Sequence, residues 1–145
     1  MIEVDYLLTT SVGFLENIAQ KLSIGYGEKV SIEDSELVFP AGLARGRFAY
    51  YNLEADLSMC LVDCTFFEEI HFKRLPLMIN YFHALSFNLS TISFMVEQHD
   101  YEGLHAGGGW ERKVLYSSSE RGLGWTAPKD SHIRMVVLYF TRSWL

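Results

Sequence analysis

The sequence predicts an all-β fold, a sandwich or barrel of many short antiparallel strands with one amphipathic helix near the N-terminus. Three observations carry this. After Gly27 the apolar periodicity changes from near four to two and stays there almost to the end. Turn-forming residues separate most of the apolar segments. No helical pattern interrupts the strands, as an α/β sheet would require. With 145 residues, 49% of them apolar and 14% aromatic, the chain reads as one domain, able to bury roughly two-thirds of its unfolded surface.

Residues 1–25 read as a helical segment packed on a β domain of residues 26–145. The helix lies in "SVGFLENIAQKL", where Phe14, Leu15, Ile18, Ala19 and Leu22 share one face, Ser11 is the N-cap and Gly25 the stop. The strands follow in "EKVSI", "ELVFP", "GRFAYYNL", "DLSMCLVDC", "FFEEIHF", "MINYFHALSFNLS", "ISFMVEQ", "RKVLYSS", "GLGWTA" and "HIRMVVLYF". "DYEGLHAGGGWE", with three successive glycines and no pattern, reads as a mobile loop. The clearest alternation is in "MINYFHALSFNLS". There Ile79, Tyr81, His83, Leu85, Phe87 and Leu89 form an apolar file expected to face inward, with Asn80, Ala84, Ser86, Asn88 and Ser90 outward and Phe82 the exception.

A net charge of -6 with only Lys73-Arg74 and Arg112-Lys113 as basic clusters argues against a phosphate-binding face. No apolar run approaches the ~20 residues of a membrane helix, and no basic-then-apolar segment follows Met1, so a cytoplasmic protein without membrane partners is expected. Cys60 and Cys64, four residues apart on a strand, would be about 13 Å apart, too far for a disulfide, and are expected to be reduced. "IAQKLSIG" echoes the first helix of a helix-turn-helix. The strand-like, acidic "KVSIEDSELVF" then stands where a recognition helix should be, so a packing helix is the better reading.

Phosphate-loop, dinucleotide and nucleophile-elbow motifs are missing. Ser117, Ser118 and Ser119 lack a neighbouring base and read as strand-end and turn residues. Glu68 and Glu69 would point to opposite faces of a strand. His83 stands in the apolar file, either as a core histidine bonded to a carbonyl or a tyrosine, or as a polar group orienting a ligand.

"VLYSSSERGLGWTAPKDSHIRMVVLYFTRSWL", preceded by "FHALSFNLS" and "LSMCLVDCTFFEEIHFKR", resembles the N-terminal sensor domains of AraC-type transcription regulators. It is most like the Bacteroidetes type, whose barrel ends on a "YFT..WL"-like close. The resemblance implies a cupin-like double-stranded β-barrel, or jelly roll, that binds a small-molecule effector in its interior or contributes to homodimerisation. It also implies that DNA is contacted only through a C-terminal domain absent from these residues, with Trp144 and Leu145 closing the barrel or starting the next helix. Pocket candidates are Tyr50, Met59, Tyr81, His83, Phe87 and Trp125. Metal-binding cupins use two histidines one residue apart. This chain has no such pair, although His71 and the His132 of "PKDSHIRM" are conceivable ligands, so neither metal nor other cofactor is expected. The expected function is therefore sensing without catalysis. The alternatives are a small cupin-type enzyme acting on a sugar or small metabolite, and an interaction barrel with a filled interior.

Overall fold

The computed structural model describes residues 1–8, 13–77, 82–92, 94–100, 103–110 and 114–144. The chain opens with β1 (Ile2–Tyr6) and α1 (Gly13–Tyr26). There follow β2 (Ser31–Glu33), β3 (Glu36–Val38), β4 (Ala44–Glu54), β5 (Leu57–Phe66), β6 (Ile70–Arg74) and β7 (Phe82–Asn88). The last five strands are β8 (Phe94–Asp100), β9 (Gly103–Trp110), β10 (Val114–Ser118), β11 (Gly122–Ala127) and β12 (Ser131–Thr141). A five-stranded sheet, ordered β1-β6-β11-β8-β9, faces a seven-stranded one, ordered β10-β7-β12-β5-β4-β3-β2. The fold is the all-β, cupin-like jelly roll the sequence predicts. Its sheets do not close on themselves, so it is a sandwich open at its edges.

The N-terminal segment departs from expectation because it contains a strand as well as a helix. Ile2, Val4 and Tyr6 are buried in alternation, and β1 pairs in parallel with β6. α1 buries Phe14, Leu15, Ile18, Ala19 and Leu22, as predicted, but runs through Gly25. A Cβ at Gly25 would come within 2.5 Å of Ile2 Cγ2, so glycine there lets helix and strand touch. The helix stops at Gly27 instead. Its φ of 89° is the left-handed conformation of a helix C-cap, and its N–H donates to the Ser23 carbonyl at 2.9 Å. Strand β2 follows where a recognition helix would have to be. Ser11, the expected N-cap, lies outside the described residues.

The inward and outward faces of β7 are reversed from those predicted. Phe82, Ala84, Ser86 and Asn88 face the core, and His83, Leu85 and Phe87 face out. Phe82 is buried at the start of the strand, and the small Ser86 faces the large Phe72, Arg74 and Trp125 of the other sheet across the interior. Asn88 faces in because its amide builds the turn that ends the strand. Its Oδ1 accepts from Ser90 N–H at 3.0 Å and its Nδ2 donates to the Ile92 carbonyl at 3.3 Å. Ile79, Asn80 and Tyr81 lie outside the described residues.

The segment read as a loop contains β9, which pairs antiparallel with β8 across a register shift at Glu97/Gln98. Glu68 and Glu69 precede β6 in an exposed turn and are not strand residues. On β5, Ser58, Cys60, Val62, Cys64 and Phe66 point inward and Met59 outward; both cysteines are free thiols. The chain's apolar close is anchored, since Trp144 Nε1 donates to Glu54 Oε1 at 3.2 Å and its ring lies 6.0 Å from that of Phe140. No helix among the described residues is long and apolar enough to cross a membrane.

Candidate functional site: an interior cavity with an unspent arginine

Between the sheets lies a cavity of about 30 Å³. The five-stranded sheet contributes Tyr6, Phe72, Arg74 and Trp125, the seven-stranded sheet Phe48, Cys60, Ser86, Val137 and Tyr139, and α1 adds Phe14 and Ile18. Period two explains why these residues converge. In "IHFKR", Ile70, Phe72 and Arg74 share the inner face of β6, while His71 and Lys73 point outward. Phe72 stacks on Trp125 from the adjacent strand, with ring centroids 4.6 Å apart and planes 17° off parallel. Around Phe14 gather Tyr6, Tyr50 and Tyr139, at 5.5, 5.2 and 6.0 Å.

Arg74 is only 2% exposed. Its Nη2 donates to the carbonyls of Ser118 at 2.9 Å and Arg121 at 3.1 Å, and its Nη1 to Ser117 Oγ at 3.2 Å. These bonds tie β6 to the turn between β10 and β11. They use neutral acceptors only. Nε is buried with no partner, and no Asp or Glu among the described residues pairs with the guanidinium. Burying an ion costs of the order of several kcal/mol even after relaxation, and carbonyl dipoles offset that only in part. Among the described residues, therefore, no carboxylate neutralises this buried cation.

The other ionisable wall groups are neutral at physiological pH. Burial pushes the Tyr6 phenol up to about 12, against the pull of the Arg74 charge and with a smaller push from Cys60. The same desolvation holds Tyr139 well above 10.0 and raises Cys60 to about 12. Both tyrosines thus keep O–H groups that can donate. The wall offers one permanent cation and two neutral donors, which can bind an anion or stabilise negative charge forming on a ligand oxygen.

These shifts fix the sign of the pH dependence. Tyr6 and Cys60 hold their protons more tightly folded than unfolded, so the stability tied to them is complete below about pH 9 and is lost as pH rises to about 12. Each group contributes a slope of ~1.4 kcal/mol per pH unit inside its own window. The urea midpoint should hold from pH 7 to 8.5 and fall clearly by pH 10.5. A midpoint unchanged at pH 11 would contradict this burial.

Of the predicted pocket residues that are described, only Trp125 lines the cavity. Tyr50 is buried beside it, donating its hydroxyl to Ser58 Oγ at 2.8 Å. Met59, His83 and Phe87 face outward, the reversal in β7 accounting for the last two, and Tyr81 lies outside the described residues. His83 does meet a tyrosine, Nδ1 lying 2.6 Å from the Tyr116 hydroxyl, but on the outer surface. Sequence reasoning missed Arg74, Tyr6 and Tyr139. Lys73-Arg74 reads as a surface cluster until the alternation of β6 is applied to it.

The described residues around the cavity do not fit a metal. They present a thiol, phenols, a hydroxyl and a guanidinium, with no imidazole or carboxylate among them, and no group of three potential ligands occurs among the described residues. His71 and His132 lie on outer faces, near Glu3 at 3.0 Å and Asp63 at 2.7 Å.

The sequence matches no protein-family model and no curated protein significantly. Among solved structures, the chain is similar to KdgF from Halomonas sp., with 9% identity, 83% of this chain and 94% of that one covered, and a TM-score of 0.47. It is also similar to Fe(II)-HppE with the alternative substrate (S)-1-HPP, at 8% identity, 87% and 74% coverage and a TM-score of 0.41. For hydroxypropylphosphonic acid epoxidase from S. wedmorenis in complex with fosfomycin the values are 12%, 90% and 75%, and 0.43. The expectation that this domain performs no catalysis is corrected by these matches, because an epoxidase stands among them and this architecture is no ground for excluding an enzyme.

Proposed function

We propose that this cupin-like domain admits a small metabolite between its sheets and acts on it there. The carrying observation is the convergence of Arg74, Tyr6 and Tyr139 on one cavity walled by Phe72 and Trp125, a few polar groups set in an apolar site. The volume of about 30 Å³ favours a small metabolite over a sugar. Arg74 and the phenols would stabilise negative charge on the ligand. Ser86 tests this, being 3% exposed, part of the wall and free of any catalytic demand. In a metabolite screen by thermal shift, followed by product analysis of the hits, Ser86→Val should fold and lose the response by filling the cavity. A response unchanged in Ser86→Val would move the site elsewhere.

A second reading, sensing of the same ligand by a transcription regulator that dimerises through this domain, is favoured by the outer face of the seven-stranded sheet. There Met59, Leu138, Leu85 and Tyr116 align across β5, β12, β7 and β10, beside a second row of Leu61, Val136, Phe87 and Val114. Val114 and Tyr116 are more than half exposed, and such a contiguous apolar surface suits a second copy of this chain. Sedimentation should show a dimer that Leu138→Glu dissociates; a wild-type monomer at high concentration counts against it.

A further inference from the structure

We propose that the cavity is a carboxylate site, in which the hydroxyls of Tyr6 and Tyr139 donate to the oxygens of a small organic acid whose negative charge is balanced by Arg74. The proposal rests on the reading of the cavity as a ligand site and adds the class of ligand. Arginine has five N–H donors, and the protein uses three of those of Arg74. Nε remains buried and unpartnered in a side chain that lines the cavity. Neither Tyr6 nor Tyr139 makes a side-chain hydrogen bond among the described residues, and both lie close enough to Arg74 to feel its charge. An anion would neutralise the buried cation, which a neutral ligand cannot do.

Size narrows the class. A single water occupies about 10–15 Å³ of cavity, so a cavity of about 30 Å³ admits a group of the size of a carboxylate. No carboxylate of the protein competes for the position among the described residues.

The experiment compares acetate with acetamide, its neutral isostere, by thermal unfolding and by titration followed in protein NMR, with sodium chloride holding the ionic strength. Acetate should raise the Tm saturably and bind at least tenfold more tightly than acetamide. Arg74→Met should lose the acetate response, Arg74→Lys should keep part of it, and Tyr6→Phe should weaken it several-fold. An arginine that serves only to tie down the turn would lower the Tm when replaced yet leave the acetate response intact, and that result overturns the proposal. Equal binding of acetate and acetamide would leave the cavity as a ligand site and overturn the charge assignment alone. Binding of neither would remove both. Saturation by chloride alone also overturns it. If Arg74→Met fails to fold, Arg74→Lys and the acetate–acetamide ratio in the unaltered protein decide the question.

Discussion

Phe72→Ala is expected to lose about 4 kcal/mol of stability, within the usual 3–5 kcal/mol for emptying a buried phenylalanine site. Phe72 is 1% exposed and stands where both sheets meet, stacked on Trp125 at 4.6 Å and 5.8 and 6.1 Å from the rings of Phe66 and Phe48. Its truncation removes the transfer free energy, the aromatic contacts and the wall of the cavity together. The rings around it are held on paired strands and cannot collapse far into the space. Against a typical total of about 5–15 kcal/mol, such a loss leaves the domain marginal. Phe87→Ala is the informative control. Phe87 is half-buried on the outer sheet face, and its loss should cost about 1 kcal/mol or less. If β7 had the faces its alternation suggests, Phe87→Ala would be the severe change and Ala84→Leu harmless. Ala84 is 1% exposed, so Ala84→Leu should instead be costly. Urea unfolding of the three variants separates the two arrangements.

The alternation in β7 was legible, and its direction was not. Both faces of that strand have a claim to burial. Leu85 and Phe87 are more apolar than Ser86 and Asn88, but the wall opposite carries the large side chains of Phe72, Trp125 and Arg74, and beside the small Ser86 only a cavity of about 30 Å³ remains. Available volume therefore set the orientation, and a single strand carries no information on the volume left by its partners. Strand β9 was illegible for another reason. "AGGG" has no hydropathy to alternate, so only its backbone pairing with β8 defines it. In β1 the pattern of Ile2, Val4 and Tyr6 is present but short, and its partner β6 lies some sixty residues away. α1 was legible because five apolar residues at helical spacing identify a face without reference to anything else.

The site was hidden by a habit of reading. Charged residues are assigned to the surface because burial without a partner is costly. Arg74 violates that rule, and the violation is itself what points to a ligand. The period of "IHFKR" places Arg74 in line with Ile70 and Phe72 and so exposes the conflict from sequence alone. Tyr6 and Tyr139 carry no such signal. They become part of the site only when β1 and β12 are brought to opposite walls of one cavity.

Gly46→Ala should be the most damaging of the small substitutions, costing about 3 kcal/mol or more, as left-handed strain and overpacking each contribute roughly 1–3 kcal/mol. Gly46 has φ of 124°, a conformation that side chains rarely adopt, and it sits opposite Cys64 in the β4–β5 ladder. An added Cβ would run into the Asp63 carbonyl oxygen and come within 2.7 Å of Cys64 Cα. Those are backbone atoms in the middle of the seven-stranded sheet, and β5 is held on its other side by β12. Relief requires prying β4 from β5, which also disturbs the inward file of Cys60, Val62 and Cys64. Gly27→Ala separates the two contributions. Gly27 shares a positive φ, 89°, but a Cβ there meets nothing within 4 Å. Its replacement should cost only the conformational part, about 1 kcal/mol. For a domain of this size each kcal/mol moves the Tm by roughly 2–4 °C, so Gly46→Ala should melt about 10 °C below the unaltered protein and Gly27→Ala only about 3 °C below it. Equal shifts for the two variants would mean that β4 yields freely beside β5, and that the close approach at Gly46 is not a constraint of the fold.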